Sequence, residues 1–192
     1  MPLLSGLVSL ALALAVATGT APSGLRYSTA SAHVQQRQPP AGACHAVGRG
    51  LDSLPDRRCT PGTVNPAVTQ DTIGSTICRS GWTSTVRPPE SVTAPEKLGS
   101  MTAYGLGAAQ RGAYEYDHLV PLELGGAVND SRNLWPEPDY AAASGFYRNP
   151  KDRLENALKR MVCRGALSLA RGQRMIASNW VAAAGQLHIG GG

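Results

Sequence analysis

Aromatic side chains are scarce in this chain, 5% of 192 residues, so the core has to rest mainly on Ala, Val, Leu and Ile. Charge is scarce as well, 16% of residues. The four cysteines, Cys44, Cys59, Cys78 and Cys163, form no CxxC pair, which argues against a structural zinc site. Histidine occurs four times, and His33, His45 and His188 stand outside any motif. No Lys or Arg precedes the first apolar run. What the chain has in abundance is 22 Gly and 14 Pro, which puts much of it in turns and irregular connections. Its length suits one domain once a targeting segment is set aside.

That segment is Leu3 to Ala17, a nearly unbroken apolar run followed by small residues and Pro22. It matches the apolar core of a secretory signal peptide, with cleavage after Ala15-Val16-Ala17 or Ala30-Ser31-Ala32. Retention as a membrane anchor is the alternative, because Leu3 to Ala21 is nearly long enough to span. In an exported chain an even number of cysteines favours two disulfides, with three possible connectivities. Each bridge contributes roughly 2–4 kcal/mol, which matters for a core poor in aromatics.

Residues 1–32 therefore read as signal peptide or anchor, and 33–43, small, polar and Pro-containing, as a linker without a packed role. Residues 44–110 form a Cys-containing N-terminal part, ordered by disulfides more than by burial. Within it, Thr69 can cap a short helix, Cys78 to Val86 alternates polar and apolar as a short strand does, and Met101 to Leu106 can pack beside the core. Residues 111–183 hold the most regular patterns, and 184–192 a tail whose terminal glycines fray.

Tyr114 to Leu122 reads as a strand rich in Tyr, Leu and Val, stopped by Pro121. It carries Asp117-His118. Neighbouring residues in a regular strand face opposite ways, so these two side chains converge only where the strand ends or bulges. Gly125-Gly126 and Asn129-Asp130 then turn the chain, and Asn133-Leu134-Trp135 returns as a partner strand. Asn149-Pro150 opens the clearest helix, with Asn as N-cap and Pro at the first helical position. Leu154, Ala157, Leu158, Met161 and Val162 form its apolar stripe, and Gly165 ends it. Ser168 caps a last helix with Leu169, Ile176 and Trp180 inward.

Charge is uneven along this order. The window from Arg132 to Arg174 holds nine basic and four acidic residues. A basic face directly after the Asp-His pair suits a polyanion, with Arg148, Lys151 and Arg153 as phosphate contacts; a solvated helix face is the plainer alternative.

The succession DHLVPLELGG, NDSRNLWP and a helix opening on Asn resembles the HNH endonuclease family, whose core is a ββα-metal finger. The resemblance covers roughly Tyr114 to Cys163 and leaves residues 1–110 uncovered. It implies an α+β fold: an HNH-like ββα-metal finger with an additional C-terminal helix and a disulfide-stabilised N-terminal region. It also implies a secreted nuclease acting on DNA or RNA with Mg²⁺, Mn²⁺ or another divalent ion. His118 then matches the general base, and Asp117 a metal ligand. Asn133 matches the Asn that ties the loop between the strands and orients the His. Asn149 takes the last motif position, a metal ligand on the helix, although Pro150 departs from the usual family helix. Phosphodiester hydrolysis asks for these residue types: a base for the attacking water and positive charge on the phosphoryl oxygens. Each has a plainer counterpart: a strand-end hydrogen bond for Asp117-His118, a turn for Asn133, a cap for Asn149, and a solvated loop charge instead of an outer contact for Glu123. A secreted nucleic-acid-binding module without cleavage, or a cell-surface structural domain, are the functions those counterparts leave.

Overall fold

The computed structural model describes residues 19–139 and 149–189. The apolar run Leu3 to Ala17, the terminal glycines and Arg148 lie outside them. The fold is mixed α+β, with two small sheets and two disulfides, Cys44–Cys59 and Cys78–Cys163. The bridges suit an oxidising, extracellular environment. Among the described residues no helix is long and apolar enough to cross a membrane.

Strands β1 (Arg26–Tyr27) and β2 (Thr63–Val64) pair in parallel. Helix α1 (Trp82–Val86) and helix α2 (Glu90–Ala103) follow. Strand β3 (Tyr114–His118) pairs antiparallel with β4 (Leu134–Pro138), Asp117 opposite Trp135 and His118 opposite Leu134. Helix α3 (Pro150–Cys163) and helix α4 (Leu169–Gln186) close the chain.

Helix α3 follows its sequence pattern closely. Asn149 Oδ1 accepts from the Asp152 amide at 3.1 Å, satisfying one of the amides that a helix start leaves without an intrahelical partner. Leu154, Leu158 and Val162, four apart, are fully buried, each contributing roughly 1.5–3 kcal/mol. They meet Leu169, Ile176 and Trp180 of α4 and Leu119, Val120 and Leu124 of the inter-strand loop in one core. Ser168 caps α4 as its position implies. The helix breaks at Asn179, whose side chain accepts from the Ala182 amide at 2.9 Å and restarts it.

The loop from β3 to β4 demands its glycines. Gly125 has φ +74° and packs against Val68, and a Cβ on Gly126 would lie 1.7 Å from the Val120 carbonyl oxygen. No side chain other than hydrogen fits there.

Five expectations change. Cys78 to Val86 is turn followed by α1, not a strand: the hydroxyls of Ser84 and Thr85 bond back to the carbonyls of Gly81 and Trp82, favouring the helical turn. The segment opened by Thr69 is a series of hydrogen-bonded turns. Residues 33–43 are packed: Asn129 Nδ2 donates to the Val34 carbonyl, the Gln36 amide to Glu96 Oε1, and Gln38 Nε2 to Tyr116 Oη. Residues 19–32 also belong to the domain, since Ala21 sits in the core and β1 pairs with β2. Cleavage after Ala32 would remove both, whereas cleavage after Ala17 keeps them. At the other end Ala184 is buried and Ile189 packs against the core, so the expected tail is ordered that far.

Candidate active site

Strand β3 ends at His118, and this ending resolves the facing problem of adjacent strand residues. Asp117 and His118 line one cavity of about 230 Å³, between the β3 end, the Pro121–Glu123 loop, the early turns of α3 and the segment around α1. Thr83, Arg87, Asp152 and Glu155 contribute to the same walls.

His118 is 6% exposed. Its Nε2 lies 3.0 Å from the Val128 carbonyl. A carbonyl only accepts, so Nε2 carries the proton and the neutral ring keeps its lone pair on Nδ1. Burial pushes the imidazole below its ordinary value, with Asp117 opposing. The ring is therefore neutral near pH 7, the form able to take a proton.

Asn133 is fully buried and uses its amide four times. Oδ1 accepts from the Val120 amide at 3.0 Å and the Thr63 amide at 3.4 Å; Nδ2 donates to the carbonyls of Val120 at 3.0 Å and Ala127 at 3.2 Å. One side chain thus pins both ends of the loop whose Val128 carbonyl holds His118, and joins it to β2.

Asp117 faces α3. Its Oδ2 accepts from Lys151 Nζ, and that ammonium also reaches Glu155 at 2.6 Å and Glu137 at 3.2 Å. Lys151 is fully buried, so it is not placed as the phosphate contact that its charge alone implied. Burial disfavours the ammonium, yet the carboxylates of Asp117, Glu137 and Glu155 hold its pKa well above the ordinary value. Burial likewise works against the Asp117 carboxylate, and Lys151 with His118 holds it low. Glu137 is pushed well above the carboxylate range by burial, and Glu155 up to about 8 for the same reason. Buried ionic groups of this kind were hidden from sequence reasoning because charge along the chain does not show which residues a hairpin and a helix bring together in the interior. The signal was Glu155 standing four residues after Lys151.

Asn149 is a cap with both ends of its amide engaged. Besides the Asp152 contact, Nδ2 donates to Glu115 Oε1 at 2.5 Å, a carboxyl that burial pushes up to about 8. For a metal this leaves only the second lone pair of Oδ1. Arg153 is exposed on α3.

The donor chemistry at the cavity fits a hard cation held by few protein ligands. The carboxylates of Asp117, Glu123, Asp152 and Glu155 line it, and Glu123 Oε1 is buried with no hydrogen-bond partner. Mg²⁺ takes one or two carboxylates and completes its octahedron with water and phosphate oxygens. No preformed group of three or more His, Cys, Asp or Glu able to hold a metal exists among the described residues.

No protein-family model matches the chain, and neither curated proteins nor solved structures give a significant match.

Proposed function

We propose that this chain is a secreted, metal-dependent endonuclease of the HNH type, hydrolysing phosphodiester bonds of DNA, RNA or both. In this reading β3, β4 and α3 form its ββα-metal finger. The observation that carries it is the shared cavity of Asp117 and His118, with the ring committed through Nε2 to a backbone carbonyl and its Nδ1 left basic.

His118 takes the proton of the attacking water at Nδ1, which its neutrality near pH 7 permits. Asn133 acts through the loop, fixing the Val128 carbonyl and so the ring's plane and tautomer. Lys151 positions Asp117 by holding Oδ2. A divalent ion at this site would be held by Asp117 with Glu123 beside it, and supplies Lewis-acid charge to the phosphoryl and leaving oxygens when bound. Arg153, and Arg148 outside the described residues, suit backbone contacts further along the nucleic acid.

The test is plasmid nicking and RNA degradation with Mg²⁺, Mn²⁺ or EDTA, run on wild type and His118→Ala. Cleavage falls about 10²–10⁴-fold in the variant, while its melting curve stays above the assay temperature. Equal turnover in the two proteins removes His118 as the base. Nucleic-acid binding without any cleavage by wild type returns the chain to a binding module.

A further inference from the structure

The carboxylates lining the cavity raise a problem for any nuclease reading, because a phosphodiester entering it meets like charge. Asp117, Glu123 and Asp152 face it, beside a Glu155 carboxyl that burial pushes up to about 8, and among the described residues a single Lys or Arg, Arg87, lines the same walls. Lys151 lies behind the wall, fully buried and spent on three carboxylates.

What marks Arg87 is that it lines the cavity and is unspent, whereas other arginines of the chain are engaged. Arg58 is bonded to Asp56 and Arg132 to Asp130, both two residues away. Arg87 is exposed, and among the described residues no hydrogen bond or ion pair engages its guanidinium. Its backbone is fixed nonetheless. The residue is the C-cap of α1, its amide bonded to the Thr83 carbonyl at 3.1 Å, and Pro88-Pro89 follow at once. Nine residues earlier Cys78 is bridged to Cys163 at the end of α3, the helix whose Asp152 and Glu155 form the opposite wall. The bridge therefore ties the segment bearing the free guanidinium to the helix bearing the carboxylates.

We infer that Arg87 is the phosphate-binding residue of this cavity, gripping the non-bridging oxygens of the diester that His118 serves, an inference that rests on the nuclease reading above. A guanidinium fork matches two phosphate oxygens and keeps its charge at every relevant pH. Charge placed where it develops in the transition state lowers the barrier more than charge placed elsewhere. Arg87 belongs to the part of the chain that the family resemblance leaves uncovered.

The experiment compares wild type, Arg87→Gln, Arg87→Lys and the control Arg79→Gln. Arg79 is exposed on the same segment and does not line the cavity. Each is assayed on supercoiled plasmid and on bis(p-nitrophenyl) phosphate, which presents one diester and no neighbouring phosphates. Arg87→Gln lowers kcat/KM about 10²-fold on both substrates, Arg87→Lys recovers part of it, and Arg79→Gln matches wild type. A loss confined to plasmid overturns the inference, because it places Arg87 along the nucleic-acid backbone and away from the reacting phosphate. Equal activity of wild type and Arg87→Gln also overturns it, while leaving the nuclease reading intact. A wild type that cleaves neither substrate sinks the nuclease reading instead. Calorimetric binding of diethyl phosphate then decides Arg87 separately: binding lost in Arg87→Gln supports it, and binding retained or absent in wild type overturns it.

Discussion

A single ammonium organises the carboxylates behind the candidate site. Lys151 Nζ touches Asp117, Glu137 and Glu155, from β3, β4 and α3 in turn, so it fastens the hairpin to the helix at the point where Asp117 must be aimed. Desolvating such a group costs free energy that its partners offset only while every partner is present. Lys151→Met keeps the length of the side chain and removes the charge, leaving up to three buried carboxyls to protonate or repel. Removing one member of a buried ion pair costs about 3–5 kcal/mol, and urea denaturation of Lys151→Met against wild type is expected to read a loss of that size. A loss below about 1 kcal/mol, the range of exposed pairs, would mean that water reaches the cluster. The sequence suggested Lys151 as a phosphate contact because net charge says nothing about burial. The same limit hid Arg87, which stands in no motif. His118 and Asp117 were legible because their adjacency and the Gly-Gly loop after them are local facts.

Elements divide by the same criterion of locality. Helix α3 was readable to the residue, since Asn149, Pro150 and the Leu154-Leu158-Val162 stripe are all within the element. The β3–β4 hairpin was readable too, although β4 runs on past Trp135, the last residue the sequence placed in it, to Pro138. Helix α2 was not placed: Pro88, Pro89 and Pro95 with several hydroxyl residues argue against a helix locally. Burial of Glu96, Ser100, Met101 and Ala103 against the rest of the domain overrides that preference. The segment 33–43 was read as loose because its partners, Glu96, Asn129 and Tyr116, lie far away in sequence. The start of α3 yields an element-scale prediction. Asn149 Oδ1 caps the helix, and Ser caps about as well as Asn whereas Ala forfeits roughly 1 kcal/mol. Asn149→Ser is expected to keep cleavage and most of the stability, losing only the donor to Glu115. Asn149→Ala is expected to lose stability by about the cap's contribution with the Mg²⁺ requirement unchanged. A Mg²⁺ titration in which both variants need far more ion for the same rate would instead make Asn149 a ligand through its remaining lone pair.

The whole molecule is held by a core of mainly aliphatic side chains that includes Trp180, by Trp135, buried outside that cluster, and by two covalent ties of unequal reach. Cys44–Cys59 closes a separation of 15 residues and Cys78–Cys163 one of 85. The four cysteines announced two bridges, but their pairing depended on the α1 segment lying against the end of α3, a tertiary fact. Chain-entropy arguments give about 3 kcal/mol for the short loop and about 4.5 kcal/mol for the long one. The long bridge also joins the two walls of the cavity, so its loss loosens the placement of Arg87 relative to Asp152 and Glu155. Two double variants separate these effects, Cys44→Ala with Cys59→Ala, and Cys78→Ala with Cys163→Ala. The second pair is expected to lower the urea midpoint further, and to lower kcat/KM on the small diester under conditions where both proteins remain folded. The first pair is expected to lower the midpoint alone, because Cys44 and Cys59 lie outside the cavity walls. Equal midpoints would show that strain or residual structure in the unfolded chain outweighs loop length. An undiminished kcat/KM in the folded Cys78/Cys163 variant would show that packing of Trp82 and Ile77 on the core, without the bridge, suffices to hold the cavity together.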